Sequence, residues 1–264
     1  MDKVKISIII IEYYSIEEIK RCISSIEKSC KNIPYEIIVS SNSMYDKELQ
    51  KKILLKFRNI KWSFNNKNGG FAYGMNNGLA QAKGQYLVIA NPDIEIVEGF
   101  GKMIDFMDSY KNIGIVAPQI KDNEGNIQDS CRDYVTIQSF FVRQIKRFIV
   151  NGESILSKQI DYSKIQTVDW VIGAFILIRK DIYIQSKGFD DKYFMYCEDM
   201  DWCTRVRKLG YEIVYYPKMQ ITYKGSRSAR RSRKYMIIFI KSIITYWRKF
   251  GFFKVYPKRK KMEF

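Results

Sequence analysis

Residues 6–11, Ile6-Ser7-Ile8-Ile9-Ile10-Ile11, form a β-branched run that meets Glu12 at once, and this pattern predicts a buried strand. Behind it, Ser15-Ile16-Glu17-Glu18 has the form of a helix start, with Ser15 as N-cap and Glu18 completing a capping box. Ile16, Ile19, Cys22, Ile23 and Ile26 then recur at helical spacing. Residues 35–39 predict a second strand, running into the polar turn Ser40-Ser41-Asn42-Ser43. A helix over 47–57, a strand over 60–64, a loop over 65–70, a helix over 71–82 and a strand over 85–90 extend the alternation to Asn91-Pro92-Asp93. That order predicts an α/β domain with a mostly parallel central sheet and helices on both faces. Ligands bind such sheets beyond the carboxyl ends of the strands. Glu12, Ser40 to Ser43, Asn65 to Gly70 and Asn91 to Asp93 all fall at such ends, so they are expected to share one crevice.

Beyond Pro118 the pattern loosens. Lys121-Asp122-Asn123-Glu124-Gly125-Asn126 reads as a hairpin tip. Residues 129–166 alternate polar, basic and aromatic stretches, the expectation being a substrate-side loop with short helices. A strand is predicted over 168–178, and Arg179-Lys180-Asp181 opens a helix. With no internal repeat and no low-complexity linker, the economical division is one domain over 1–225 and a tail over 226–264.

Composition narrows the chemistry. The 264 residues are 46% hydrophobic, 15% aromatic and 28% charged, values of a globular chain rather than a disordered one. There is no histidine, which excludes Ser/His/Asp triads, Cys/His proteases and HExxH zinc sites and leaves carboxylates as the main acid–base groups. Five scattered cysteines without a CxxC pair fit reduced thiols in a cytoplasmic chain better than a disulfide framework or a zinc cluster. The apolar run at the N-terminus is too short for a signal peptide and lacks a small-residue cleavage site.

The net charge of +17 is unevenly spread. Residues 226–264 hold 13 Lys and Arg against one acid, Glu263, hence +12, whereas 1–225 hold 32 basic and 27 acidic residues, hence +5. A block of this kind points to a polyanion, either nucleic acid or an anionic membrane surface. No RRM, helix-turn-helix, zinc-finger or KH signature is present, which disfavours nucleic acid. Residues 234–250 read as an aromatic, amphipathic helix flanked by Arg230-Arg231-Ser232-Arg233 and Lys258-Arg259-Lys260-Lys261. Lys241 interrupts it well short of the roughly 20 apolar residues a spanning helix needs. An in-plane helix on anionic lipid, peripheral on the inner face of the cell membrane, is therefore expected. The alternative is a helix packed on the domain with a solvated basic end.

Three motifs carry candidate chemistry. Glu198-Asp199-Met200-Asp201 places three carboxylates in four positions behind Tyr193-Phe194-Met195-Tyr196-Cys197. Crowded acids suit a cation or a general base with a raised pKa, and equally a helix N-terminus, where the macrodipole favours them. Asn91-Pro92-Asp93 offers an amide and a carboxylate oxygen of the kind Mg²⁺ or Mn²⁺ takes, and is also a good turn. Asn68-Gly69-Gly70-Phe71 leads into a helix as a loop able to approach a phosphate or ribose, without the P-loop or GxGxxG pattern.

In order, Glu12-Tyr13-Tyr14, Ile37-Ile38-Val39-Ser40-Ser41-Asn42, Asn68-Gly69-Gly70-Phe71, Ala90-Asn91-Pro92-Asp93, Gly173-Ala174-Phe175 and Gly188-Phe189-Asp190 through Asp201 resemble the family 2 glycosyltransferases, most of all their bacterial rhamnosyltransferase-like branch. The resemblance covers residues 5–228 and implies a GT-A fold, a nucleotide-sugar donor and inversion at the anomeric carbon. It implies Asp199 as general base and Glu198 as the residue orienting base or acceptor. It places Glu12, Ser41, Asn68, Gly70, Asn91 and Asp93 on the donor, Asn91 and Asp93 on a divalent cation, and Trp170 and Gly173 on the acceptor side. The implied reaction extends a lipid-linked or cell-surface glycan, with rhamnose as donor sugar suggested by the resemblance alone. Two positions depart from the family pattern: Ser41 stands where Asp is usual, and Tyr223, in Ile221-Thr222-Tyr223-Lys224-Gly225-Ser226, stands where a metal-ligating His is usual. Phenol is a poor Mg²⁺ or Mn²⁺ ligand at neutral pH, with a pKa near about 10. These departures leave a second reading open, a GT-A scaffold that binds within a glycan-assembly complex without catalysing transfer.

Overall fold

The computed structural model describes residues 4–138, 160–225 and 233–253, together with 257, 259, 260, 262 and 264. In chain order the elements are β1 (Ile6–Glu12), α1 (Ile16–Ser29), β2 (Tyr35–Ser41), α2 (Lys47–Lys56), β3 (Lys61–Phe64), α3 (Gly70–Leu79), β4 (Tyr86–Ala90), β5 (Ile94–Glu98), α4 (Phe100–Ser109), β6 (Ile113–Lys121), β7 (Cys131–Arg132), β8 (Gln166–Thr167), β9 (Trp170–Val171), β10 (Phe175–Arg179), α5 (Lys180–Ser186), α6 (Glu198–Lys208), β11 (Glu212–Tyr223) and α7 (Arg233–Phe250). Most of the irregular segment, residues 139–159, lies outside the described residues.

A nine-stranded sheet runs β3-β2-β1-β4-β10-β6-β11-β5, with β8 beside β11. Strands β3, β2, β1 and β4 are mutually parallel, and β6 and β11 share their direction, so the sheet is mostly parallel as expected. Strand β10 breaks the pattern by running antiparallel between β4 and β6, and β5 and β8 run antiparallel to β11.

The apolar runs of the central strands serve two cores. Ile9 and Ile11 of β1 face one core, with Leu87 and Ile89 of β4 and Ile176 and Ile178 of β10. Ile6, Ile8 and Ile10 face the other, with Tyr86, Val88, Phe175 and Leu177. A strand covered on both faces needs no polar alternation, which is why these segments read as unbroken hydrophobic stretches. Helices α3 and α6 cover the first face, while α1 and α4 cover the second.

Three local expectations are corrected. The strand expected over 168–178 is broken into β9 and β10, the break falling around Gly173, and β8 precedes it. Ser15 precedes α1 as foreseen, but its side chain makes no capping bond. Instead the Ser15 amide donates to Glu12 Oε1 at 2.8 Å, because Tyr14, at φ +50°, turns the chain back on that carboxylate.

The third correction concerns the segment read as a tail. Helix α7 buries Ser242, Ile243, Tyr246 and Trp247 against the main core. The Ser242 hydroxyl donates to Met195 O at 2.8 Å, Trp247 Nε1 donates to Val135 O at 2.7 Å, and the Tyr246 and Thr204 hydroxyls meet at 2.9 Å. Lys249 Nζ bridges Asp201 Oδ2 at 2.6 Å and Asp190 Oδ2 at 2.8 Å. Apolar burial of this kind is worth about 1.5–3 kcal/mol for each large side chain, so the second half of α7 belongs to the folded body. Its first half behaves differently, leaving Met236, Ile237 and Ile240 exposed beside Arg233, Lys234 and Lys241. Among the described residues, no helix is long and apolar enough to cross a membrane.

Candidate active site

The carboxyl ends of β1 to β4 converge as the polar pattern predicts. Glu12 and Ser41 are register partners on β1 and β2, and both are fully buried. The Glu12 carboxylate accepts from the Ser41 hydroxyl, from the Ser43 hydroxyl at 2.9 Å, from Tyr45 OH at 2.9 Å and from the Ser15 amide. The acid missing at Ser41 is therefore present one strand over, with four protein donors filling its oxygens. Neither side chain reaches the surface; Tyr13, Tyr14 and Met44 form the exposed rim.

The Gly-rich loop is held from both sides. Asn68 Oδ1 accepts from Gly70 N at 3.1 Å, Asn42 Nδ2 donates to Gly70 O at 2.9 Å, and Phe71 N donates to Phe194 O at 2.8 Å. Gly70 has φ +88°, and a Cβ there would lie 2.0 Å from Phe194 O. Glycine is thus required for the Gly-rich loop to meet the backbone preceding the acidic helix.

That helix, α6, starts from two consecutive non-glycine residues in the left-handed region, Tyr196 at φ 72° and Cys197 at φ 67°. Each costs on the order of 1–2 kcal/mol, a strain that recurs at functional sites. The turn resolves the acidic cluster into three different residues. Asp201 is structural, fully buried and bonded to Tyr193 OH, Arg205 Nε and Lys249 Nζ. Asp199 accepts from Gly173 N on Oδ2 at 3.0 Å and from Met200 N on Oδ1 at 2.8 Å. Burial raises its pKa, against the pull of those two amides and of Arg132. Glu198 is buried with Oε2 unpartnered, and burial together with the neighbouring Asp199 charge pushes its pKa well up.

Gly173 acts through its backbone amide on Asp199, and a Cβ there would press on the Phe71 ring at 3.3 Å. Trp170 is not brought to an open surface. It is 6% exposed, donates Nε1 to Asp133 O at 3.0 Å, and lies under the Arg132 guanidinium, 5.3 Å from the ring centroid. Asn91 meets the end of β11, its Nδ2 donating to Tyr223 OH at 2.9 Å, and its amide donates to Ala174 O at 3.0 Å. Burial raises the Asp93 pKa, opposed by its own amide, the Gly225 amide and Lys224.

The sequence profile described as Glycosyl transferase family 2 matches residues 7–185, about two thirds of the chain. The chain belongs to that family. Rhamnosyltransferase WbbL of Escherichia coli (strain K12) is 27% identical over 224 residues, covering 80% of each chain. The N-acetylglucosaminyl-diphospho-decaprenol L-rhamnosyltransferase of Mycobacterium tuberculosis is 23% identical over 219 residues, 75% of this chain and 69% of the relative. The crystal structure of GalNAc-T7 with UDP, GalNAc and Mn²⁺ has the same fold, with a TM-score of 0.62 at 15% identity over 84% of this chain. The present chain spans 44% of that protein. These matches show a family 2 glycosyltransferase with a GT-A fold.

The donor set for a divalent cation in this family 2 site is small. Among the described residues no group of three or more Asp, Glu, Cys or His is arranged so that it could hold a metal ion. Asp93, Asn91 and the phenol of Tyr223 are the oxygen donors at the end of β4. Mg²⁺ and Mn²⁺ often bind through one or two carboxylates plus substrate phosphates, so the residues fit a cation carried largely by the donor. Asp93 would hold it, and when bound it would supply positive charge to the diphosphate.

Sequence reasoning missed Arg132, whose charge lowers Asp199 while its Nε bonds Asp129 at 3.1 Å, and it missed Asn42 as the link between β2 and the donor loop. Arg132 lies in the segment without periodicity, where only its spacing of three from Asp129 was visible.

Glu198 gives a direct test of site strain. A carboxyl with a raised folded pKa stabilises fully below its unfolded pKa, near about 4.3, and loses that contribution as pH rises through the folded value. Glu198→Gln removes the buried charge. It is expected to leave Tm unchanged near pH 4 and to raise it at pH 7, by about 2–4 °C for each kcal/mol recovered. Thermal melts across that range check this, and a lower Tm at pH 7 would count against the buried-charge account.

Proposed function

We propose that this enzyme transfers a sugar, with inversion, from a nucleoside-diphosphate donor to a hydroxyl of a lipid-linked or cell-surface glycan acceptor. The observation that carries the reading is the placement of Asp199: half-buried, pushed up in pKa, fixed by Gly173 N, and joined through Phe194 and Phe71 to the donor loop. A base needs a pKa above the ordinary carboxylate range and a fixed direction toward its proton, and both are present. The acceptor oxygen bonds to the anomeric carbon from the face opposite the diphosphate, and its proton passes to Asp199. The bond from that carbon to the phosphate oxygen breaks, leaving its electron pair on the diphosphate.

Glu12, Ser41, Asn42, Asn68 and Gly70 shape the nucleotide end, Asn91 and Asp93 the diphosphate end, and Gly173 orients the base. Glu198, next to it, orients the base or the acceptor. Trp170 supports the acceptor side from beneath, through Arg132. The names of the similar rhamnosyltransferases favour rhamnose as the sugar and a lipid diphosphate as part of the acceptor.

A panel of nucleotide sugars, assayed by calorimetry and by the anomeric configuration of the product, tests this reading. One donor is expected to bind and to yield the opposite anomer. Retention would remove the single-displacement scheme, and no binding to any donor would leave a scaffold.

We place the enzyme on the inner face of the cell membrane. Support comes from the exposed first half of α7, where Met236, Ile237 and Ile240 lie beside Arg233, Lys234 and Lys241, while Phe239 packs edge-on against Tyr196 at 5.9 Å. An apolar, basic surface fits anionic lipid and lies next to the turn that carries the base. Truncation after Gly225 would strip Tyr246 and Trp247 from the core, so the cleaner test keeps the full chain. Ile237→Glu with Ile240→Glu is expected to abolish co-sedimentation with phosphatidylglycerol vesicles and to spare Tm. Undiminished sedimentation would remove the membrane assignment.

A further inference from the structure

The end of β11 closes over the turn after β4 in a way the scheme above does not use. Gln128 Nε2 donates to Tyr223 O at 2.6 Å, pinning the strand end, and a Cβ at Gly225 would lie 3.2 Å from the Tyr223 ring. The hydroxyl sits 2.9 Å from Asn91 Nδ2 in the turn after β4, and burial together with the charges of Asp93 and Asp199 raises its pKa. Among the described residues it accepts one bond, from Asn91 Nδ2, and donates none. On the Asp93 side opens a cavity of about 340 Å³, where Arg21 and Lys224 stand among the carboxylates of Glu18, Asp93 and Glu95.

We propose that the Tyr223 hydroxyl donates a hydrogen bond to the departing diphosphate, with the Lys224 ammonium as its neighbouring charge, so that this chain holds the leaving group with its own residues where the family usually has a metal-ligating histidine. The proposal rests on the reading of the chain as a nucleotide-sugar transferase.

Three physical points support it. A phenol keeps its proton at working pH and so is a donor throughout, whereas it is a weak ligand for hard cations. An N–H donated to the phenol oxygen, as by Asn91, polarises the O–H and strengthens the bond it can give. Asp93 follows Asn91 by two residues in the same turn, and a diphosphate brought to that turn needs nearby donors or positive charge to offset the repulsion. In the transfer step Tyr223 keeps its proton. The electron pair of the broken carbon–oxygen bond stays on the phosphate, and the growing charge there strengthens the hydrogen bond, which is the requirement for lowering a barrier rather than only binding.

The experiment uses the full chain with Tyr223→Phe and Tyr223→His. Affinities for uridine, thymidine and guanosine diphosphates and for the matching monophosphates are measured by calorimetry, in chelator and with Mn²⁺. Tyr223→Phe keeps the ring on Gly225 and is expected to keep Tm. In chelator it is expected to lose about ten-fold or more in diphosphate affinity, as for a hydrogen bond to a charged group, with the monophosphate unchanged. Tyr223→His is expected to make diphosphate binding depend on Mn²⁺. Equal diphosphate affinity of Tyr223→Phe and the native chain in chelator would overturn the proposal and leave the transferase reading standing. Failure of the native chain to bind any nucleoside diphosphate would overturn both.

Discussion

Asp199→Asn is expected to cut turnover by about 10²–10⁴-fold, the usual worth of a positioned general base, while leaving nucleoside-diphosphate affinity unchanged. Asparagine keeps an oxygen to accept the Gly173 amide and gives up only the local bond from Met200 N together with proton acceptance, so Tm is measured alongside turnover. The pH profile supplies a second readout. Below its pKa the Asp199 carboxyl is protonated and cannot take a proton, so activity falls on the acid side. Since burial raises that pKa, the acid limb is expected above the ordinary aspartate value of about 3.9. Unchanged turnover in Asp199→Asn would sink the base assignment. Loss of turnover in Glu198→Gln alone would move the role one residue back.

The second large effect belongs to Gly70→Ala. A methyl group there meets Phe194 O at 2.0 Å on a backbone at φ +88°, so the donor loop and the turn before α6 cannot both keep their positions. Misplacing reacting groups by about 1 Å costs on the order of 10²-fold in rate, and alanine at positive φ destabilises by more than about 1 kcal/mol. A fall in kcat/KM of about that size, together with a lower Tm, is the expected result. Gly101→Ala is the control, because no atom lies within 4 Å of a Cβ there and α4 should gain slightly from the better helix former. Native kcat/KM in Gly70→Ala would show that the contact with Phe194 does not couple donor and base.

Much of this site was legible in the sequence because its residues sit where local rules are strong. Strands β1, β2 and β4 are short apolar runs ending in polar residues, and that pattern places Glu12, Ser41, Asn91 and Asp93 at one edge of the sheet. What escaped depends on partners far along the chain. A run such as Phe175–Arg179 has the same composition whether it pairs parallel or antiparallel, so the insertion of β10 between β4 and β6 leaves no local mark. Arg132 acquires its meaning only by lying over Trp170 and near Asp199. Helix α7 looked like a detached amphipathic segment because its buried positions, Ser242, Ile243, Tyr246 and Trp247, are mixed with basic ones, and burial on the body was visible only in three dimensions. The capping box failed at Ser15 for a similar reason, since a buried carboxylate from the preceding strand claims the amide.

The reversed direction of β10 has a consequence for how such an enzyme can diversify. Phe175 pairs with Ala90 and Thr222 pairs with Lys121, so the stretch over residues 122–174, which adds β8 beside β11 on its way, leaves β6 and enters β10 at the same end of the sheet. With both ends anchored, lengthening it costs little, because closure entropy grows only with the logarithm of loop length. Gly173, at the end of that stretch, holds Asp199 through its backbone amide just before β10 enters the sheet, so the aim of this carboxylate is set by the sheet and is independent of the length of the segment before it.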